Sequence, residues 1–301
     1  MRDSLHSELV TLFQDRTHPL EPQPTSLEAS LPRVAAPVQA VLFDVYGTLI
    51  SSGVGDISLD QSADQSTLIQ QLIETTELTW KVNPTTINLA ACFNEEIQKD
   101  HIAAKELGIP HPEVDILEIW SRLLSVWTNP PKNSLDLAAL TAKLAIEYEC
   151  AVNPVWPNEA CREILDAIRT KSLSLGIVSN AQFYTPIMLE AFLGNDLTTL
   201  GFAEDLRVWS YQKRRGKPDP TLYHDIAHTL KSNYNVAPEQ TLFVGNDMLK
   251  DIWAATQAGF KGVLFAGDAR SLRLREDDVR CRDLKPYATV TSLSQINQLL
   301  P

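Results

Sequence analysis

The stretch Val41–Ile50, VLFDVYGTLI, decides the fold that the sequence predicts. Its opening residues are apolar without polar alternation, which is typical of a strand buried on both faces of a parallel sheet. The run stops at an acid, Asp44, and Gly47 and Thr48 follow within a turn. Ligands of open parallel sheets bind at the carboxyl ends of the strands, so an acid at this position either closes a turn or takes part in chemistry.

Three further apolar runs have the same character: LSLGIVSN (173–180), TLFVGND (241–247) and GVLFAGD (262–268). Helical patterns flank them, at 158–171, 218–231 and 249–258. Strands that alternate with helices favour right-handed crossovers. The sequence therefore predicts an α/β fold, a doubly wound parallel sheet of the Rossmann type, with RVWSYQ (207–212) as a further strand and 291–300 as a closing helix.

The interval 57–155 differs from the rest because it reads as almost wholly helical. Asn83-Pro84 has the chemistry of a helix start and Gly108 that of a helix end. We predict that 57–155 is an all-helical cap domain inserted into a core made of 38–56 and 156–301. Residues 1–37 are predicted to form a short amphipathic helix followed by an extended proline-rich tether.

Composition limits the classes of partner. The chain has 301 residues and a formal net charge of −12. Such acidity argues against nucleic-acid binding, which depends on Lys and Arg neutralising phosphates; a small anionic substrate in a local basic pocket is expected instead. The N-terminus has no signal-like apolar segment, and no apolar run reaches the ~20 residues of a membrane span. We expect a cytoplasmic protein without a membrane partner; the sequence leaves its oligomeric state open.

Polar residues that can perform chemistry end three of the predicted strands. A carboxylate nucleophile at Asp44 needs a nearby cation to stay ionised, and Lys217 in GKPDP is the candidate. A hydroxyl at Ser179 can bind anionic oxygens. Magnesium prefers oxygen ligands, and the candidates for them are Asp44, Asn246, Asp247 and Asp251. The last two acids are four residues apart, so they share one helix face if the helix begins at once.

The ordered motifs DVYGT, VSN, GKPDP and GNDMLKD resemble those of the haloacid dehalogenase superfamily, over 38–56 and 156–270. The resemblance implies that Asp44 attacks the substrate and forms a covalent aspartyl intermediate, which water then cleaves. It implies that Ser179 binds the transferred group and that Lys217 steadies the nucleophile. The resemblance also implies Mg²⁺ on Asp44, on the backbone carbonyl of Tyr46 and on the fourth motif. Further substrate-binding residues are expected at Tyr46, Gly47, Thr48 and Asn180.

Two positions depart from the superfamily's phosphatases. Their plus-two residue is an Asp that protonates the leaving alcohol, whereas this chain has Tyr46, as in the similar 2-haloacid dehalogenases. Asn246 stands where a metal-binding Asp is common. The dehalogenase pattern is also incomplete, because those enzymes look metal-independent and use an Arg soon after the first motif. Here the first Arg after the motif is Arg122.

The sequence therefore favours a Mg²⁺-dependent hydrolase of phosphatase type, acting on a small phosphorylated metabolite or an acyl phosphate. Two alternatives stay open: a metal-independent 2-haloacid dehalogenase, and a catalytically lapsed module that binds a phosphorylated ligand or a protein. Two basic segments, Arg214-Arg215 and SLRLRED (271–277), are expected to be solvated.

Overall fold

Alternating helices and strands make up the structure, a computed structural model that describes residues 2–33, 37–54 and 63–301. The strands are β1 (Ala40–Phe43), β2 (Ile50–Ser52), β3 (Thr79–Trp80), β4 (Thr128–Asn129), β5 (Val155–Pro157), β6 (Ser174–Ser179), β7 (Phe202–Trp209), β8 (Thr241–Gly245), β9 (Lys261–Phe265) and β10 (Ala288–Val290). The α-helices are α1 (Arg2–Arg16), α2 (Ala63–Glu74), α3 (Leu89–Glu106), α4 (Ile116–Trp127), α5 (Ser134–Val152), α6 (Cys161–Thr170), α7 (Thr185–Leu193), α8 (Ser210–Lys213), α9 (Pro220–Tyr234) and α10 (Ala254–Gln257). Shorter helical turns are Pro84–Thr86, Pro238–Gln240, Met248–Trp253 and Leu293–Leu299.

Six parallel strands form the central sheet, in the order β10-β9-β8-β1-β6-β7. Strand β1 lies in the middle, and successive side chains alternate between two apolar layers. Val41 and Phe43 pack against α1, α6 and α7, whereas Ala40 and Leu42 pack against α9 and α10. Burying a side chain such as Phe43 contributes about 1.5–3 kcal/mol. The predicted doubly wound α/β fold is confirmed, and its strand order reverses at β1, where such sheets bind ligands.

The predicted N-terminal helix and extended tether both appear. Leu9 and Phe13 of α1 are buried in the main core. The proline-rich segment then lies along the edge of the sheet formed by β10. There Ser30 pairs with Thr289, and the Thr25 hydroxyl donates to the carbonyl of Ala266. No helix in the described ranges is both long and apolar enough to cross a bilayer.

Helices α2 to α5 form a separate apolar cluster between β2 and β5. At its centre Phe93, Trp120 and Tyr148 pack ring against ring, with centroids 4.9–5.4 Å apart. Strands β2 and β5 pair antiparallel where the chain leaves and rejoins the core. The start of the predicted cap, 57–62, lies outside the described residues, and the capping role of these helices stays a prediction.

The region is less uniformly helical than predicted, because β3 and β4 form a short antiparallel pair within it. Asn83 does cap a helix, but only the single turn Pro84–Thr86; the long helix α3 begins later, capped by Asn88. Gly108 follows the end of α3 at φ +82°, as predicted. Strand β7 also begins earlier than 207 and ends at Trp209, after which α8 begins.

Candidate active site

The carboxyl ends of β1, β6 and β8 bring the predicted motifs together. The Asp44 amide donates to the carbonyl of Val244 (2.9 Å), which extends the parallel pairing one residue beyond β1. Ser179 is the last residue of β6, and Asn246 follows β8 directly. A cavity of about 770 Å³, its open mouth included, lies at this edge and is lined by Asp44, Tyr46, Asn180 and Lys217 among others.

One oxygen of the Asp44 carboxylate is held by two donors. The Ser179 hydroxyl donates to Oδ1 at 3.0 Å, and Nζ of Lys217 lies 2.6 Å from the same atom. No described residue hydrogen bonds to Oδ2. Because Asp44 lines the cavity, this second oxygen is the one available to a bound molecule. The carboxylate is thus fixed in orientation, with its charge offset by the ammonium.

Lys217 bridges two buried carboxylates. Its Nζ also lies 2.5 Å from Oδ1 of Asp251, and all three residues are at most 6% exposed. Burial lowers the pKa of Lys217, but Asp251 and Asp44 raise it more, so the net shift is upward and the ammonium persists. Burial raises the pKa of Asp251, and Lys217 opposes that rise. The Asn180 side chain accepts from the Lys217 amide (2.6 Å) and thereby fixes the loop.

Asp247 and Asp251 do not converge on one point. The Asp247 carboxylate caps the turn Met248–Trp253 through the amides of Leu249 and Lys250 and pairs with Arg275 (2.6 Å). Asp251 instead accepts from the Asp247 amide (2.9 Å) and contacts Lys217. The turn is π-helical, so residues four apart are not stacked as in an α-helix. The prediction of a shared helix face is therefore wrong.

Gly47 and Thr48 lie beneath the cavity and position Asn246. The Thr48 hydroxyl donates to Oδ1 of Asn246 (3.3 Å), and the Asn246 amide donates to the carbonyl of Ser271 (2.5 Å). Gly47 has φ +81°, and a Cβ there would lie 2.5 Å from Nδ2 of Asn246. Neither Gly47 nor Thr48 lines the cavity, whereas Asn246 does. The two residues thus position Asn246, and their contact with substrate stays a prediction.

Tyr46 lines the same cavity as Asp44. Its hydroxyl hydrogen bonds to Oγ1 of Thr185 (3.0 Å). Burial raises the pKa of this phenol well above its usual value, so it keeps its proton. A group that holds a proton this strongly is a poor acid at neutral pH.

The predicted magnesium ligands do not form a metal site in this arrangement. Asp247 is engaged by Arg275, Asp251 by Lys217, and the side-chain oxygen of Asn246 by Thr48. Across the described ranges no three His, Cys, Asp or Glu side chains are placed to hold a metal ion. The donor set therefore does not fit Mg²⁺ as placed, and no chemical step below passes through a metal. Magnesium dependence stays a prediction.

The basic segment 271–277 is not the solvated loop that the sequence predicts. Ser271 is fully buried, Arg273 lines the cavity, and Arg275 pairs with Asp247. A single residue, Leu274, separates the two arginines, and no general rule predicts that such a pair in a loop belongs to a site. By contrast, Arg122 is paired with Asp100 (2.8 Å) on the inserted helices. Arg273 is therefore the arginine that lines this cavity.

Two acids at the cavity were not singled out by the sequence. Glu113 accepts from the Ser210 hydroxyl (3.0 Å), and Glu149 accepts from the Tyr184 hydroxyl (2.8 Å). Burial raises the pKa of Glu113 to about 7, although the hydrogen bond from Ser210 lowers it. Burial also raises the pKa of Glu149. Both residues line the same cavity as Asp44. They come from a loop and a helix end outside every motif, so no sequence signal marked them.

The chain is similar to several solved structures. The chain resembles the solved 2-haloacid dehalogenase from Pseudomonas syringae pv. Tomato DC3000 (18% identity, TM-score 0.53, covering 87% of this chain and 97% of that one). It also resembles a predicted phosphoglycolate phosphatase from Haemophilus somnus 129PT (17%, 0.47, 88% and 98%). A third similar structure is the L-2-haloacid dehalogenase from Xanthobacter autotrophicus (17%, 0.45, 87% and 98%).

At 18% identity the likeness to the Pseudomonas syringae structure shows a shared fold and no more. Among curated proteins, comparison gives no significant match. The model of the haloacid dehalogenase-like hydrolases, however, matches residues 38–259, from the tether's end through all four motifs. This match covers well over half of the sequence. The chain belongs to the haloacid dehalogenase-like hydrolase family.

Proposed function

We propose that this protein transfers the phosphoryl group of a small phosphorylated metabolite or acyl phosphate to Asp44 and then to water. The observation that carries the proposal is the asymmetry of the Asp44 carboxylate at the cavity: Oδ1 is held by Ser179 and Lys217, whereas no described residue hydrogen bonds to Oδ2. A fixed, charge-compensated carboxylate with one available oxygen is what nucleophilic attack requires.

The charges around the cavity support an anionic substrate. Lys217, Lys250 and Arg273 all line it, and together they offset the repulsion between Asp44 and a phosphate. In the first step Oδ2 of Asp44 attacks phosphorus, and the bond to the leaving oxygen breaks. In the second step water attacks phosphorus, which releases phosphate and restores the carboxylate. Lys217 stabilises negative charge on the Asp44 side in both steps.

A second candidate, 2-haloacid dehalogenation, is favoured by one observation. Tyr46 stands where a proton donor is expected and holds its own proton strongly. General acid help is worth ~10²–10⁴ in rate, but a halide leaves without a proton. In this case Oδ2 attacks carbon, the carbon–halogen bond breaks, and Arg273 is the residue available to bind the substrate carboxylate.

One experiment separates the candidates. Phosphate release from acetyl phosphate and p-nitrophenyl phosphate is measured with Mg²⁺ and with EDTA, beside halide release from 2-chloropropionate. Wild type is compared with Asp44→Asn and with Asp283→Asn, a control at an exposed acid far along the chain. We expect phosphate release that Asp44→Asn abolishes and Asp283→Asn leaves unchanged.

Other outcomes point elsewhere. Halide release that EDTA does not affect, without phosphate release, overturns the phosphatase proposal in favour of dehalogenation. If no substrate is turned over in a way that depends on Asp44, the result indicates the catalytically lapsed binding module. Loss of phosphate release in EDTA, restored by Mg²⁺, shows that the ligands rearrange around a metal.

A further inference from the structure

A second cavity adjoins the one at Asp44. It measures about 1110 Å³ with its open mouth and lies among the inserted helices. Five residues line both cavities: Glu113, Glu149, Asn153, Gln182 and Tyr184. A molecule that reacts at Asp44 can therefore extend past this shared wall into the second cavity.

The second cavity is mainly apolar beyond the shared wall. Its lining includes Phe93, Ile97, Val114, Ile116, Trp120 and Tyr148. Aromatic and aliphatic walls of this kind bind apolar groups, and polar groups within them fix orientation. The leaving group of a substrate held at Asp44 is thus expected to carry an apolar body.

Two buried nitrogen atoms lining this cavity lack a partner among the described residues. They are Nε1 of Trp120, whose side chain is fully buried, and Nε2 of His101. Leaving a buried N–H without an acceptor costs about 1–3 kcal/mol. Both nitrogen atoms are shielded from solvent in this structure, so it is the lining of the cavity that indicates an apolar body.

Glu113 stands at the junction of the two cavities on a segment that is fixed to the core. Its amide donates to the carbonyl of Arg214 (3.2 Å), and the Gly216 amide donates to the carbonyl of His111 (2.7 Å). The loop that is held in this way leads directly into Lys217. The position of Glu113 relative to the nucleophile's lysine is therefore set by backbone hydrogen bonds.

The Glu113 carboxyl is held by three donors. Ser210 donates to Oε2, and the amide of Val114 and the side chain of Gln182 donate to Oε1. Burial raises its pKa to about 7, while Lys250 and Arg214 lower it. The other ionisable groups on the shared wall are the Tyr184 phenol and Glu149, both with raised pKa values. Near neutral pH Glu113 is populated with and without its proton, as an acid–base group requires.

We propose that Glu113 supplies the proton that Tyr46 does not, and that it protonates an alcohol leaving group whose apolar body occupies the second cavity. The inference rests on the proposed phosphoryl transfer to Asp44. It names the substrate class as a phosphate monoester of an apolar or aromatic alcohol.

The steps balance. When Oδ2 of Asp44 attacks phosphorus, the electron pair of the breaking P–O bond goes to the ester oxygen, which takes the proton of Glu113 and leaves as the alcohol. Glu113 is then a carboxylate. It accepts a proton from the water that attacks the phosphoryl group, phosphate departs, and Asp44 and protonated Glu113 are both restored.

The test varies the leaving group. Glu113→Gln is compared with Glu149→Gln, a matched acid-to-amide change on the same wall, using phenyl phosphate, p-nitrophenyl phosphate and acetyl phosphate. We expect Glu113→Gln to lower kcat on phenyl phosphate about 100-fold and to change kcat on the other two only a few-fold, because their leaving groups need little protonation. Glu149→Gln is expected to leave the ratios of kcat among the three substrates unchanged. Equal losses on all three substrates with Glu113→Gln overturn the proposal.

A pH profile and a rescue variant provide two measurements that would not change if the role of Glu113 were purely structural. In wild type, kcat on phenyl phosphate is expected to fall above about pH 7, and Glu113→Gln is expected to remove that limb. Adding Tyr46→Asp to Glu113→Gln is expected to restore turnover of phenyl phosphate. An unchanged limb in Glu113→Gln contradicts the assignment.

The cavity is tested separately with Val152→Phe, which fills it from a partly buried position on the wall. We expect KM for 2-naphthyl phosphate to rise at least about tenfold while acetyl phosphate, which has no apolar body, is unaffected. Equal KM values for 2-naphthyl phosphate in both proteins contradict the cavity's role. If wild type hydrolyses none of these phosphates, the proposed function itself is contradicted. If wild type hydrolyses acetyl phosphate but neither Glu113→Gln nor Val152→Phe changes the kinetics on the aryl phosphates, only the present inference is contradicted.

Discussion

The ammonium of Lys217 lies 2.6 Å from the Asp44 carboxylate and holds Asp251 on its other side. One cation thus contacts two buried acids, the proposed nucleophile Asp44 and Asp251 of the fourth motif. The pairing places a cation beside the Asp44 carboxylate at the cavity. The same cation engages Asp251, one of the predicted magnesium ligands.

Removal of Lys217 should destabilise the fold as well as stop turnover. Lys217→Met leaves two buried carboxylates without their cation, so we expect a loss of about 3–5 kcal/mol in the free energy of unfolding. Adding Asp251→Asn is expected to recover part of that loss. Urea denaturation measures both, with Lys285→Met at an exposed position as the control. A loss below about 1 kcal/mol for Lys217→Met contradicts the ion-pair account.

Asp247 is predicted to act as a helix cap and partner of Arg275. Asp247→Ala removes the cap and the ion pair, and we expect it to cost about 1–2 kcal/mol of unfolding free energy, whereas Asp247→Asn keeps a capping oxygen and costs less. Turnover by Asp247→Asn should stay within a few-fold of wild type, since its carboxylate does not contact Asp44. A large loss of activity that added Mg²⁺ restores would instead identify Asp247 as a metal ligand.

Gly47 offers a matched comparison with Gly108. Both have positive φ, +81° and +82°, but a Cβ at Gly47 would lie 2.5 Å from Asn246, whereas at Gly108 nothing lies within 4 Å. We expect Gly108→Ala to cost about 1–2 kcal/mol from backbone strain alone. Gly47→Ala should cost about 1–3 kcal/mol more through overpacking and lower kcat, because Asn246 must move. Thermal or urea unfolding and a kinetic assay check this; equal costs for the two variants would count against it.

Stability should depend on pH through Glu113. Its pKa is raised from 4.5 to about 7 in the folded protein, so the native state binds more protons than the unfolded state between those values. The contribution of this protonation to the free energy of unfolding is complete below about pH 4.5 and is lost as the pH rises to about 7. Glu113→Gln is expected to gain stability relative to wild type between pH 5 and 7.5 in urea denaturation. Exposed Glu159→Gln is the control, and the same pH dependence in all three proteins would refute this.

The order of the linear motifs predicts that several candidate residues lie close together, because their positions follow from the sheet. Asp44, Ser179 and Asn246 come together since the carboxyl ends of parallel strands meet at one edge. Lys217 joins them because its loop begins after α8, close to the end of β7. The sequence order of the motifs was therefore enough to predict their spatial proximity.

The remaining features depend on packing that no local pattern encodes. Arg273 and Arg275 reach the site from an irregular loop, and Glu113 reaches it from the segment between α3 and α4. The π-helical turn after Asp247 redirects a carboxylate that an α-helix would have placed beside Asp251. These positions follow only from the assembled tertiary structure.

The most direct test of the account is a search for the covalent intermediate on Asp44. Wild type is mixed with excess p-nitrophenyl phosphate, quenched in acid within the first turnover, digested and analysed by mass spectrometry, with Asp44→Asn treated in parallel. The account predicts a phosphoryl group on the peptide that contains Asp44 and on no peptide of the variant. Rapid turnover by wild type with that peptide unmodified, or a phosphoryl group on another residue, would contradict the assignment of Asp44 as nucleophile.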